Sequence, residues 1–418
     1  MKHKVNNTNL KNIIHNIFTT HDLSNGDLEC DETYNSIVDM IYDIYTDMLS
    51  IGPNDNFLTL LDDMSSFKDD CSNIYSKIHE LLEERFKVDC LEYTNKQLKK
   101  IKTQLDHLDS IPLPRQRTPE WYDFRKNRLT ASDLGTVVGV NPYSSIKELT
   151  LKKCGHEKPF NAGAAITHGV KYEDIAIRIY SDRNNVNIKE YGCIPHPTIS
   201  FFGASPDGIC SADSANKNYI GRMLEIKCPK SRELNGYIPE YYAAQVQGQL
   251  EVCELEYCDF LECVIKEYEG GKDEFINDTK GRIKGNLNIR KNGMEKGVLI
   301  ESYDTEDKKM NYSYAPTNIT KSLKSLEKWE ESSINNILDN SRLEYIGTTY
   351  WKLEEYSVIL VKRDKKWFKD AFQKIERFWN DVLKYRRDGI ETLVPVKKKK
   401  TISSKAAITT TGFLYDSD

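Results

Sequence analysis

The sequence predicts a mixed α/β (α+β) protein, with short strands that carry charge and helices that pack against them. Three observations point there. Residues 222–228 read as an apolar strand with two charges set two apart. Residues 168–180 place Tyr172, Ile175, Ile179 and Tyr180 on one side at helical spacing, and a strand at 356–361 runs into a long helix ending near residue 386.

The chain has 418 residues, enough for two or three domains. Its net charge of −5 hides an asymmetry, because residues 1–110 hold 11 Lys and Arg against 20 Asp and Glu, leaving 48 and 44 for the rest. Residues 1–111 therefore read as an acidic α-helical N-terminal module, with helices expected at 34–48, 71–86 and about 91–108. A Pro-rich linker follows at 112–118, then a main domain at 119–396 with an insertion at about 267–350. Residues 397–418 form a basic tail opening on Lys397–Lys400, expected to be disordered. No long apolar run marks a signal peptide or a membrane span. The ten cysteines include no CxxC pair, which favours buried thiols in a reducing compartment. Cys253, Cys258 and Cys263 are spaced by five, but a strand through 258–266 points the last two to opposite faces.

Within the main domain, Trp121–Arg128 is a basic helical segment running into Thr130-Ala131-Ser132. Ser132 is expected to cap the next helix, where free backbone N–H groups make a phosphate seat and Arg125 adds a bidentate grip. The helix at 168–180 carries Glu173 near its expected start, beside its apolar face; His168 before it reads as structural. A strand at 199–205 ends in the turn Pro206-Asp207-Gly208. If it pairs with 222–228, Asp207 comes to lie beside Glu225.

On that second strand Glu225 and Lys227 share a face, and Ile226 points away from them but leaves its carbonyl on the strand edge. Two carboxylates and a carbonyl make an oxygen shell suited to Mg²⁺ or Mn²⁺. Such an ion acidifies water and neutralises charge on a phosphodiester, and a neighbouring Lys227 orients or helps deprotonate that water. Pro-Asp-Gly is usually only a turn and Glu-x-Lys usually a solvated pair; their conjunction carries the reading. Further on, a loop from 231 becomes a helix with Tyr241, Gln245 and Gln249 at four-residue steps. The insertion adds basic residues at 280–291, a hairpin at 297–314 and a helix at 317–338.

The order Trp121…Arg125…Thr130-Ala131-Ser132, Gly169…Glu173, Ser205-Pro206-Asp207-Gly208, Leu224-Glu225-Ile226-Lys227-Cys228-Pro229 and Ala244-Gln245-Val246-Gln247 resembles the lambda-type exonucleases. These are the YqaJ-like viral recombinase group of the PD-(D/E)xK nucleases. The resemblance covers about 119–266 and resumes at about 356–386. It implies a restriction-endonuclease-like mixed central sheet flanked by helices. It also implies Asp207, Glu225 and the Ile226 carbonyl as metal ligands, Glu173 as a further acidic metal-site residue and Lys227 as the catalytic lysine. Arg125, Ser132 and Gln245 would bind a terminal 5′-phosphate. The implied activity is Mg²⁺-dependent, 5′-to-3′ resection of linear double-stranded DNA in viral-type recombination, replication or repair. A single-strand annealing protein would be its partner and the interior of a virus-infected cell its location. The front module, the insertion and the tail depart from the compact family pattern and leave the oligomeric state open. An endonuclease on the same core, or a non-catalytic DNA-binding scaffold, are the alternative readings.

Overall fold

A computed structural model describes residues 93–114, 118–156, 163–279, 287–316 and 322–393. The helices expected at 34–48 and 71–86 and the basic tail lie outside the described residues.

The first helix, α1 (Asn95–Ser110), opens with a reciprocal cap between Thr94 and Gln97. Next comes α2 (Pro119–Lys126), whose N-cap Thr118 is followed by a proline at the first helical position. Strand β1 (Leu129–Thr130), a 3₁₀ turn (Ala131–Asp133), α3 (Leu134–Val138) and α4 (Ile146–Lys153) lead to the long α5 (Ala164–Asn184). Four short strands come next: β2 (Ile188–Lys189), β3 (Ile194–Pro195), β4 (Phe202–Ala204) and β5 (Gly208–Cys210). Then follow β6 (Met223–Lys227), α6 (Glu240–Cys253), β7 (Tyr257–Glu267), α7 (Gly271–Asn277), the hairpin β8 (Lys296–Asp304) and β9 (Lys309–Tyr314), α8 (Leu323–Leu338), β10 (Leu343–Lys362) and α9 (Lys365–Asp388).

Seven strands form one mixed sheet in the order β2-β5-β6-β7-β10-β8-β9. All neighbours run antiparallel except β6 and β7, which are parallel. A parallel pair needs a crossover, and α6 supplies it. A second sheet has the order β1-β4-β3. The strand before the Pro-Asp-Gly turn thus belongs to the small sheet, not beside Glu225 as expected. The strand after the turn, β5, is the one that pairs with β6, through Gly208 with Leu224 and Ile209 with Met223.

Alternation along β6 and β7 divides the core. Met223, Cys258 and Phe260 pack into a cluster that takes in α6 and α9, while Leu224, Ile226, Leu261 and Cys263 pack into the one that buries α5. Cys258 and Cys263 therefore do face opposite ways, and all seven cysteines among the described residues are free. Helices α3 and α6 cross tightly: a Cβ on Gly135 would sit 2.7 Å from Cβ of Tyr241, and one on Gly248 would meet Leu134 at 2.5 Å.

Two expected boundaries change. Helix α1 shares the main core, with Leu105 and Leu108 buried in the same cluster as Met223 and the Gln104 side-chain amide donating to the Cys253 carbonyl at 2.9 Å. The division expected at residue 111 therefore runs between two parts of one core. The 267–350 insertion is likewise continuous with the sheet, since the 20-residue β10 pairs along both β7 and β8. Lys171 on α5 pins it further, reaching Glu267 at 2.8 Å and Glu301 at 2.7 Å and donating to Thr349. Of the basic residues in this region, Arg290 pairs with Asp278 at 2.8 Å and Glu354 at 3.3 Å. Lys280, Arg282 and Lys284 lie outside the described residues. The expected helix at 317–338 is described from Leu323.

Candidate active site

The turn between β4 and β5 is anchored to β6 by one hydrogen bond: the Ile226 amide donates to Asp207 Oδ2 at 2.7 Å. That bond sets the Asp207 carboxylate against the strand carrying Glu225 and Lys227. Burial raises the Asp207 carboxyl well above the usual carboxylate range, and the charges of Glu225 and Glu173 add to it. The Asp207 carboxyl is thus within electrostatic reach of both other acids. Among the described residues, however, no group of three or more His, Cys, Asp or Glu side chains converges as a ready-made cation cage.

Glu225 is 1% exposed, yet it is a charged residue in a core strand. Its charge is met by an ion pair with Lys227 and by two amides, Gln245 Nε2 on Oε1 and Gln249 Nε2 on Oε2, both at 2.6 Å. Burial opposes the ammonium of Lys227, but the adjacent Glu225 and Asp207 carboxylates outweigh it and hold the lysine firmly protonated. The Lys227 amine also lies over the Tyr242 ring, 4.7 Å from its centre.

Glu173 lies in the middle of α5, well inside a helix that begins at Ala164, not in a first turn as expected. Gly163 rather than His168-Gly169 marks the helix start. Glu173 lines a cleft of about 550 Å³ with Asp109, Asp174, Lys189 and Glu190.

A second group of side chains sits on the other side of the turn. Arg125 Nη1 donates to Ser205 Oγ at 3.2 Å and Nη2 to Ser132 Oγ at 3.3 Å, and its guanidinium lies 4.4 Å from the centre of the Trp121 ring. Ser132 does not cap a helix. It sits inside the 3₁₀ turn, and the reciprocal cap is made by Thr130 with Asp133. The Asp133 carboxylate takes the Thr130 amide at 3.0 Å and pairs with Lys153 at 2.7 Å, so this helix start already carries its own anion. Side chains, not a helix end, make the polar cluster here. Gln245, grouped with Arg125 and Ser132 by the family pattern, instead contacts Glu225.

Several participants went unassigned in the sequence. Ser205 ties the two clusters together, because its hydroxyl meets Arg125 and its carbonyl accepts from Gln249 at 3.4 Å. Gln249 lies on the same four-residue stripe as Gln245, so its spacing was the available signal. Glu262, opposite Lys227 in the β6–β7 register, is fully buried and paired with Arg232. Only strand register reveals it.

The fold and this cluster define a class: a mixed-sheet α/β protein with one buried carboxylate, a second part-buried one and a lysine gathered at one strand end. Residues 120–256 match the YqaJ-like viral recombinase domain. The matched segment holds Asp207, Glu225, Lys227 and both glutamines. The chain is 36% identical over 331 residues to an uncharacterized protein of Acanthamoeba polyphaga mimivirus, covering 73% of this chain and 60% of the relative. It is 26% identical over 164 residues to a protein of African swine fever virus (strain Badajoz 1971 Vero-adapted), covering 33% of this chain and 46% of the relative. The chain thus spans less than two thirds of either relative. Among solved structures, an alkaline exonuclease (LHK-Exo) from Laribacter hongkongensis is similar at 19% identity and a TM-score of 0.36, covering 64% of this chain and 94% of that one. No helix among the described residues is long and apolar enough to cross a membrane.

Proposed function

We propose that this protein is a metal-dependent deoxyribonuclease, an exonuclease that hydrolyses phosphodiester bonds of linear double-stranded DNA from 5′ to 3′. The observation that carries the reading is the meeting of Asp207, Glu225 and Lys227 at one end of β6 within the YqaJ-like segment. A purely structural strand gains nothing from a second acid set beside buried Glu225, whose charge raises the proton affinity of Asp207.

The residues fit a divalent cation in kind. Asp207 and Glu225 offer carboxylate oxygens, Ile226 a carbonyl and Glu173 a further acid nearby, which suits Mg²⁺ (or Mn²⁺) completed by water and substrate oxygens. Such an ion, when bound, supplies an acidified water and neutralises charge on the phosphate. The protein's own groups do the rest. Gln245 and Gln249 hold Glu225 in one orientation. Lys227, kept as an ammonium by its acidic neighbours, donates to an oxygen of the reacting phosphate or of the attacking water. Arg125, Ser132 and Ser205 form a cationic hydroxyl cluster of the chemistry that receives a terminal 5′-phosphate. We place the activity in viral-type DNA recombination, replication or repair inside infected cells, working beside a single-strand annealing protein.

The test is digestion of end-labelled linear duplexes, with and without a 5′-phosphate, in Mg²⁺ and in chelator, alongside a covalently closed circle. The exonuclease reading expects label release only with Mg²⁺, faster from the phosphorylated end, and an intact circle. Cleavage of the circle would make the enzyme an endonuclease on the same core. No nucleotide release at any Mg²⁺ concentration would leave a DNA-binding scaffold.

A further inference from the structure

A run of tyrosines leads from the surface to Lys227. Tyr143 meets Tyr241 edge-on, with ring centres 5.7 Å apart; Tyr241 meets Tyr242 at 4.2 Å; and the Tyr242 ring lies under the Lys227 amine. Tyr143, at the outer end, is 80% exposed, so most of the residue lies open to solvent.

The loop that carries the ring is nonetheless held in place. It follows Gly139, the left-handed end of α3, and Asn141 fixes it twice: its Oδ1 accepts from the Tyr143 amide at 2.9 Å and its Nδ2 donates to Thr136 Oγ1 at 2.9 Å. The close crossing of α3 and α6 at Gly135 then fixes this loop relative to Tyr241, on the helix that carries Gln245 and Gln249. Arg232, paired with the buried Glu262, is near enough for its charge to act on the Tyr241 phenol. A large, open aromatic ring on a hydrogen-bonded loop, with the Arg232 and Lys227 side chains further along the same path, suits a flat, apolar group attached to an anion. A nucleotide has both parts.

We propose that Tyr143 is a stacking platform for an unpaired base of the nucleic-acid strand entering the candidate active site. The inference rests on the nuclease reading and adds a subsite to it. Stacking on an aromatic ring is tolerant of sequence, so the platform would accept any base while rewarding strand separation at the duplex end.

The test uses the full chain with Ca²⁺ in place of Mg²⁺ and fluorescence anisotropy. One probe is a 5′-phosphorylated duplex with a four-nucleotide 5′ overhang; the other carries abasic residues in that overhang. Wild type should bind the base-bearing probe about tenfold more tightly than the abasic one, the size expected for one stacked base. Tyr143→Ala should lose this preference and bind both probes as wild type binds the abasic one, while Tyr143→Phe, which keeps the ring, should retain it. A preference unchanged in Tyr143→Ala overturns the platform, and so does an equal loss on both probes. If wild type still digests DNA in Mg²⁺, the nuclease reading survives either result. Failure of wild type to bind or cut any probe overturns both.

Discussion

Gln249 and Glu225 form a buried pair, with the glutamine amide 2.6 Å from one carboxylate oxygen while Gln245 holds the other at the same distance. Gln249 is 1% exposed, so nothing from solvent replaces it. Gln249→Leu should leave one oxygen of Glu225 without its buried partner, so that only Gln245 and Lys227 hold the carboxylate. The expected result is a fall in cleavage rate of roughly 10- to 100-fold, the usual cost of losing a partner of a metal-site carboxylate, with a higher Mg²⁺ requirement. Rates measured across a Mg²⁺ titration check this; an unchanged Mg²⁺ requirement would argue against a positioning role.

Asp207 and Glu225 are acids crowded together, Glu225 buried and Asp207 partly so. Asp207→Asn removes one charge and can still accept from the Ile226 amide. The variant should therefore be inactive yet more stable by about 1 kcal/mol in metal-free buffer, as is common where a site sacrifices stability for function. Thermal melts in chelator, paired with a digestion assay, give both readouts. Added Mg²⁺ should raise the wild-type melting temperature more than that of the variant.

Arg125 touches Ser132 and Ser205 rather than the acidic cluster. Arg125→Lys keeps a charge but not the fork that grips two partners, and Arg125→Ala keeps neither. Both should lose preference for a 5′-phosphorylated end, the alanine variant more completely, while cutting an unphosphorylated end at close to the wild-type rate. Competition between the two labelled ends measures this.

Lys171 ties α5 to the added strands through Glu267 and Glu301. Burial opposes its charge, but the two carboxylates raise its proton affinity; the ammonium in turn lowers that of Glu267 despite that residue's partial burial. For Glu267 the folded form binds its proton less tightly than the unfolded one. Its share of stability is thus present above about pH 4.5 and is lost as the pH falls through the lower folded value. Lys171→Met should cost roughly 3 kcal/mol at pH 7, less to the degree that half-exposed Glu267 is rehydrated. It should also flatten the acid limb of the stability curve below about pH 4.5. Urea melts at neutral and at acidic pH test the pair.

The acid–acid–lysine cluster was legible because strand periodicity fixes which side chains share a face, and Glu225 and Lys227 obey it. The pairing that delivers Asp207 was not. Strand β5 is three residues long, too short to show any period, so the longer apolar stretch before the turn looked like the partner. At Thr130–Asp133 the pattern of a reciprocal cap is present, but Ser132 offered a competing hydroxyl close to the helix. Gly169 resembles a helix boundary and so sets Glu173 near a helix start, whereas α5 runs through it from Ala164. Contacts such as Arg232 with Glu262 depend on the β6–β7 register, which local sequence does not encode. Helix α1 shows the same limit: it has an apolar stripe, and the stripe alone does not say which core buries it.

The most direct test of the central claim is anomalous scattering from crystals soaked in Mn²⁺. The account predicts a peak within about 2.5 Å of a carboxylate oxygen of both Asp207 and Glu225, absent from Asp207→Asn crystals. A wild-type protein that degrades DNA while its Mn²⁺ peak lies elsewhere, or persists unchanged in the variant, would contradict it.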